Sequence, residues 1–336
     1  MENSGKSFIK NMNKKTDIIC LGEVLIDFLP VQSGVALSEV TEFKRVPGGA
    51  PANVAVGAAK LGLSSAFMGR VGDDIFGKFL VKTLEDNQVN ISQVQYDKKA
   101  RTCLAFISLP TPNSREFLFY RNPSADMNLD YRKFNKNLLQ NVKIFHYGSI
   151  TLITEPSRSS TYKAIDIAKS AGSVISYDPN LRNMLWPSLD MAKKTMKHAM
   201  SFADVVKLND EELQFITGET ELEKGLKKIK SMGPRICIVT LGEKGSYYAT
   251  EEFLGKVDAY KVDTVDATGC GDSFVSGILF GVIKKDISAL CKDEKALLEV
   301  IRFSSAAAAI TSTQKGVIPA LPTKNEVDDF ILKRKN

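Results

Sequence analysis

Short runs of β-branched and other apolar residues recur along the chain, each closed by a polar residue or a glycine. They span Asp17–Gly22, Lys143–Gly148, Ser173–Asp178, Asp204–Asn209 and Arg235–Thr240. Runs this short and continuous predict strands buried on both faces, as in a parallel sheet. Between them, apolar residues fall at helical spacing over Pro51–Leu61, Ile75–Asn87, Ser157–Ala171 and Glu221–Met232. Strand alternating with helix predicts a doubly wound α/β sheet flanked by helices. Such sheets bind ligands beyond the carboxyl ends of their strands. The polar residues there are Glu23 and Asp27, Ser149, Asp178 and Asn180, Asn209 and Glu212, and Thr240. Any one of them is equally an ordinary cap or turn residue. Their coincidence at five strand ends predicts a single crevice.

Two segments break the alternation. Residues from Phe28 to Val46 and from about Gln95 to Tyr120 read as extended, period-two stretches separated by turn residues. They predict a small antiparallel sheet projecting beside the crevice as a lid, or a hairpin decoration that does not move. The expected organisation is a disordered arm over residues 1–16 and one domain over 17–336, with lid segments at about 28–46 and 95–121.

The chain has 336 residues, 43% of them hydrophobic, and a net charge of +6. Lys and Arg are dispersed among Asp and Glu, which argues against a nucleic-acid surface, while a mild positive excess suits a phosphorylated ligand. Five cysteines without a CxxC pair indicate neither a disulfide framework nor a zinc site, so a reducing compartment is expected. No stretch is long and apolar enough to span a bilayer. The basic segment Met1–Thr16 lacks the apolar core of a signal peptide and is short for an organelle-targeting sequence, so the expected location is the cytoplasm. His146 reads as a structural histidine at a strand end, Trp186 as a loop-packing residue, and Lys333–Lys335 as a solvated tail.

The most informative stretch is Val265–Phe280. Apolar residues at helical spacing from Phe274 onward place the start of a helix close to Asp272. Gly269 and Gly271 then sit at its amino end, where backbone amides and the positive end of the dipole attract anions. The stretch is neither a Walker A loop nor a dinucleotide fingerprint. A carboxylate beside a phosphate cradle makes chemical sense if Asp272 takes the proton of an attacking alcohol, the helix end favouring its ionised form. On residue chemistry alone, a first-turn Asp without chemistry is as good a reading.

Asp266–Phe274, reading DATGCGDSF, resembles the carboxy-terminal signature of the ribokinase-like (PfkB) carbohydrate kinases. Pro47–Ala55, reading PGGAPANVA, with Gly69–Gly77 after it, resembles that family's amino-terminal motif. The likeness runs from about Asp17 to Pro322. Within the family, Gly22–Asp27, Phe119–Asp126, Phe145–Ser149 and Asp178–Arg182 with Leu185–Pro187 look most like plant-type fructokinases.

The resemblance implies ATP-dependent transfer of a phosphoryl group to a sugar, fructose to fructose 6-phosphate in the leading case, with Asp272 as base. Gly269, Cys270 and Gly271 would form the anion hole, and Arg182 would bring positive charge to the phosphates. Asp27, Gly48, Gly49, Asn53 and Arg121 would hold the sugar, Arg121 being equally a surface arginine on sequence alone. Asn209 and Glu212 match an NxxE element that organises magnesium and phosphate through water. Thr240, Gly242 and Gly245 would border the nucleotide. Asp266, Thr268, Thr311, Gln314 and Gly316 would surround a potassium ion, mainly through backbone oxygens. Small-molecule sugar and ATP are the expected partners, and the lid edge offers a surface for a homodimer.

The sequence departs from the family pattern at three points. Cys270 stands where alanine is usual, as a packing residue or an oxidation-sensitive thiol. Asp-Ala-Thr replaces Asp-Thr-Thr. Ala320 lacks the hydroxyl that ribokinases offer the cation. The alternatives are a 2-keto-3-deoxygluconate kinase, with Arg121 or Arg182 meeting the substrate carboxylate, and a fructokinase-like subunit that binds a partner without catalysis.

Overall fold

The computed structural model describes residues 16–334 apart from residues 33, 112 and 113. Residues 1–15 of the expected arm and Lys335 of the basic tail lie outside the described residues. Thr16 belongs to the fold, as the first residue of a strand.

All five predicted strands form, at Thr16–Leu21 (β1), Val142–Gly148 (β8), Val174–Asp178 (β9), Val205–Asn209 (β10) and Ile236–Thr240 (β11). Ser65–Gly72 (β4) and Asn90–Asp97 (β5) extend the sheet at one side, and Ser246–Ala249 (β12) and Leu254–Val257 (β13) at the other. The nine strands run in the order β13-β12-β11-β10-β9-β8-β1-β4-β5. Only the β11-β12-β13 edge is antiparallel. Along β1 the side chains alternate between two cores: Ile18 and Cys20 pack in one, Ile19 and Leu21 in the other. Burial on both faces is why these strands are apolar throughout instead of alternating.

Helices Ala50–Lys60, Cys270–Lys285 and Glu294–Ser312 cover one face, and Ser157–Ser170, Leu189–Met200 and Leu222–Lys230 the other. The first two approach closely. A Cβ on Gly57 would lie 2.3 Å from Ser276 Oγ. That hydroxyl donates to the carbonyls of Asp272, at 2.8 Å, and Val54, at 3.3 Å. The close approach brings the amino-terminal turns of both helices to one place.

A separate four-stranded sheet contains Leu25–Pro30 (β2), Phe43–Gly48 (β3), Leu104–Thr111 (β6) and Ser114–Tyr120 (β7), in the order β3-β2-β6-β7. Phe28 stacks on Phe106 at 4.6 Å between centroids and meets Phe76 of the main domain edge-on. Two expectations need correction. The sheet is mixed, because β2 and β6 run parallel. Residues 95–97 belong to β5 of the main sheet and not to the projection. Their polar character comes from side-chain bonds to a neighbouring loop and strand: Gln95 exchanges hydrogen bonds with the Asp130 backbone, and Asp97 pairs with Arg70 of β4 at 2.9 Å.

Candidate active site

The Cys270–Lys285 helix is preceded by Gly269, with φ +79° and no side-chain cap. A Cβ there would be 2.3 Å from Val317, so both backbone angle and space call for glycine. The uncapped amino end faces the end of β10, since a Cβ on Gly271 would lie 3.0 Å from Lys207 Nζ. Cys270 is half-buried, its Sγ 4.0 Å from the Asp266 carbonyl oxygen.

Asp272, in the first turn, accepts a 2.8 Å hydrogen bond from Asn53 Nδ2. Burial pushes its carboxyl up to about 6; Asp178 adds to this, while Asn53, Lys207 and Arg182 oppose it. At about 6, the ionised form predominates at neutral pH. The remaining polar atom of the amide, Asn53 Oδ1, is buried without a partner among the described residues.

Asp27, on β2, completes this corner. Burial raises its carboxyl to about 7, Arg182 opposing and Asp272 reinforcing the rise. It packs against β3 so closely that a Cβ on Gly48 would come within 2.0 Å of Asp27 Oδ2. Gly48 therefore shapes the corner by lacking a side chain, and Gly49 leads directly into the helix bearing Asn53.

On the phosphate side, Arg182 follows β9 and is within electrostatic reach of both Asp27 and Asp272. Among the described residues its guanidinium makes one long contact, 3.4 Å to the Leu181 carbonyl. Asn209 caps the Asp210–Thr217 helix by accepting from Glu212 N, and Glu212 reaches back to Asn209 N in a capping box. The other Glu212 oxygen accepts from Leu181 N at 2.8 Å, so this buried acid ties the ends of β9 and β10 together.

Lys207 escaped the sequence reading. It lies two residues before the carboxyl end of β10, its side chain 12% exposed, and pairs with Asp178 at 3.2 Å. Burial disfavours its charge, but Asp178, Glu212 and Asp272 outweigh burial and hold it protonated. A lysine interrupting the apolar run Val205–Leu208 was the available signal. Asp178 Oδ1 is buried without a partner among the described residues.

The nucleotide-side residues lie at one end of the sheet. Thr240 Oγ1 donates to the Leu208 carbonyl at 3.2 Å, and Gly242 and Gly245 take positive φ in the turn that joins β11 to β12. The residues assigned to a cation are also brought together. Asp266 accepts from the amide and hydroxyl of Thr268 and from Gly316 N, while Gln314 N donates to the Thr311 carbonyl. Ala320 is buried in the short turn after Gly316.

Arg121 is not where the resemblance put it. It is 6% exposed, neither a surface arginine nor open toward the sugar corner. Its Nε pairs with Asp126 at 2.7 Å and its Nη2 donates to the Ile150 carbonyl at 3.0 Å. Its charge opposes the rise that burial imposes on the Glu23 carboxyl. His146 is buried against Ser176 and pushed down by burial to about 4, a neutral structural residue.

Comparison with known proteins agrees with this chemistry. The pfkB family of carbohydrate kinases matches residues 15–324. Fructokinase-2 of Solanum lycopersicum is 49% identical over 310 residues, covering 92% of this chain and 94% of that protein. The structure of Xylella fastidiosa fructokinase with bound ATP superposes with a TM-score of 0.87 at 30% identity, covering 96% of this chain and all of the other. A double mutant of Vibrio cholerae fructokinase, bound to fructose, ADP and potassium, gives 0.84 at 35% identity over 94% of this chain and 98% of the other.

Proposed function

The chain belongs to the pfkB family of carbohydrate kinases, a phosphotransferase acting on a sugar hydroxyl, and from that premise we propose that its reaction is D-fructose + ATP to D-fructose 6-phosphate + ADP. The observation that carries the reading is the contact between Asn53 and Asp272, which holds an ionised carboxylate at an uncapped helix amino end. Fructose is favoured by the extent of likeness to fructokinases, one of which binds fructose and ADP.

In the proposed mechanism, Asp27 and the open Oδ1 of Asn53 hold sugar hydroxyls. Asp272 accepts the proton of the 6-hydroxyl as its oxygen bonds to the γ-phosphorus. The bond from that phosphorus to the bridging oxygen breaks, and ADP leaves with its electron pair. The amides of residues 269–271 receive the charge on the phosphoryl oxygens, with Arg182 and Lys207 as flanking cations. Thr240, Gly242 and Gly245 border the nucleotide. The small sheet closes over the sugar and excludes water.

The donor set fits magnesium held largely through water. Both Glu212 oxygens already serve backbone amides, and Asp178 Oδ1 is the open buried carboxylate oxygen beside them. Magnesium would neutralise phosphate charge there. Asp266, Thr268, Thr311, Gln314 and Gly316, whose two segments are joined by the bond from Gly316 N to Asp266, would hold potassium, which would steady the loop leading into the anion hole. A homodimer through the edge of the small sheet and a cytoplasmic location complete the proposal.

Two measurements test this reading. Purified protein with ATP and magnesium, with and without potassium, is offered fructose, ribose, glucose and 2-keto-3-deoxygluconate. ATP consumption is greatest with fructose and rises with potassium; preference for the keto acid would replace fructose as the substrate. In a pH series at saturating ATP, kcat/KM for the sugar climbs through about 6 to 7 and levels above. Asp272 and Asp27 both have raised values, and only their ionised forms serve as proposed. A profile flat from about pH 5 to 8 would contradict these roles.

A further inference from the structure

The small sheet joins the main domain through four stretches of chain, and all four meet one buried polar cluster. Glu23, 3% exposed, lies in the first, between β1 and β2. Its Oε1 accepts from Ala50 N at 3.1 Å, in the second stretch, where β3 passes into the Ala50–Lys60 helix. Gly49 gives that helix no side-chain cap, so Glu23 supplies one from 27 residues away. The contact is tight: a Cβ on Gly49 would lie 2.5 Å from the Glu23 carbonyl oxygen.

Arg121 and Asp126 lie in the fourth stretch, beyond β7, and their charges act on Glu23; the Cys103 carbonyl of the third stretch accepts from Ile26 N at 3.1 Å, three residues beyond Glu23. Ser124 donates to the other Asp126 oxygen and bridges to Arg101 in the third stretch, between β5 and β6. Ala125 N donates to the Arg101 carbonyl at 2.8 Å. The Ile150 carbonyl anchors Arg121 to the main domain. None of these groups is needed to touch sugar or phosphate. The chain they fix does carry acceptor groups: Asp27 is four residues from Glu23, and Asn53 is one helical turn from Ala50.

We infer that Glu23 is a positioning residue for the sugar acceptor, braced by the Arg121–Asp126 pair, and that it sets where Asp27 and Asn53 stand by capping the Gly49–Asn53 turn from the root of the small sheet. The inference rests on the sugar-kinase reading but not on fructose, since it is tested with whichever sugar the wild-type protein turns over. It makes the cluster act on the acceptor side alone, because the nucleotide residues lie at the ends of β10 and β11, away from these four crossings.

Glu23→Ala removes the acceptor of the Ala50 amide, whereas Glu23→Gln keeps an oxygen there. In Glu23→Ala, checked as folded by circular dichroism, the sugar KM rises about tenfold and the ATP KM stays within about twofold of wild type. Glu23→Gln keeps both within about twofold. Asp126→Asn is the second probe should Glu23→Ala fail to fold; it unbalances the brace and raises the sugar KM about threefold, with ATP again unaffected. An unchanged sugar KM in the folded variant, equal rises in both KM values, or Glu23→Gln behaving like Glu23→Ala would overturn the assignment. Failure of wild-type protein to phosphorylate any sugar would instead overturn the kinase reading.

Discussion

Asp272→Ala is expected to lose roughly 10²–10⁴-fold in turnover while it folds and binds ATP as the wild-type protein does. The side chain sits in the first turn of a helix whose packing depends on Phe274, Val275, Ile278 and Leu279, all buried and all untouched by the change. Truncation leaves the buried Asn53 amide without its Asp272 partner, so a modest loss of stability, about 1–3 kcal/mol, accompanies the loss of turnover without preventing folding. What disappears is the acceptor for the hydroxyl proton. Turnover measured at saturating sugar and ATP, with ATP affinity measured separately by calorimetry, checks both halves. Turnover within about threefold of wild type would show that another group takes the proton.

Lys207→Met should damage both stability and activity. It leaves Asp178 and Glu212 facing one another in the interior without their cation, a change costing about 3–5 kcal/mol in comparable buried pairs. It also removes positive charge from beside the anion hole, which should lower turnover by roughly 10²-fold. Adding Asp178→Asn removes the stranded charge, so the double variant recovers part of the stability without recovering turnover. Chemical denaturation and initial rates separate the two effects. Activity returning together with stability would reduce Lys207 to a structural role.

The sheet was legible because its central strands are buried on both faces and therefore announce themselves as continuous apolar runs. Where polar residues enter a strand for local reasons, the reading drifts. Gln95 and Asp97 sit in β5 with side chains bonded to the Asp130 backbone and to Arg70, and in sequence they resemble a solvated projection. The edge strands β12 and β13 are four residues each, too short to carry a period of their own. The anion-binding helix was legible from its glycines and the apolar spacing behind them.

The partners of its groups were not. Asn53 and Asp272 are 219 residues apart and meet only because Gly57 lets two helices approach. Arg121 was misplaced for a related reason. An arginine between an aromatic strand and a proline carries no sign that Asp126, five residues on, will claim it in the interior. Glu23 and Lys207 are charges inside apolar stretches, a signal that marks them as unusual without saying what they face.

A crystal structure of the protein with fructose and a non-hydrolysable ATP analogue should place an Asp272 carboxylate oxygen about 2.6–3.2 Å from the sugar 6-hydroxyl, with the γ-phosphate at the amides of residues 269–271. A 6-hydroxyl that instead bonds another side chain, with Asp272 still engaged only by Asn53, would contradict the account.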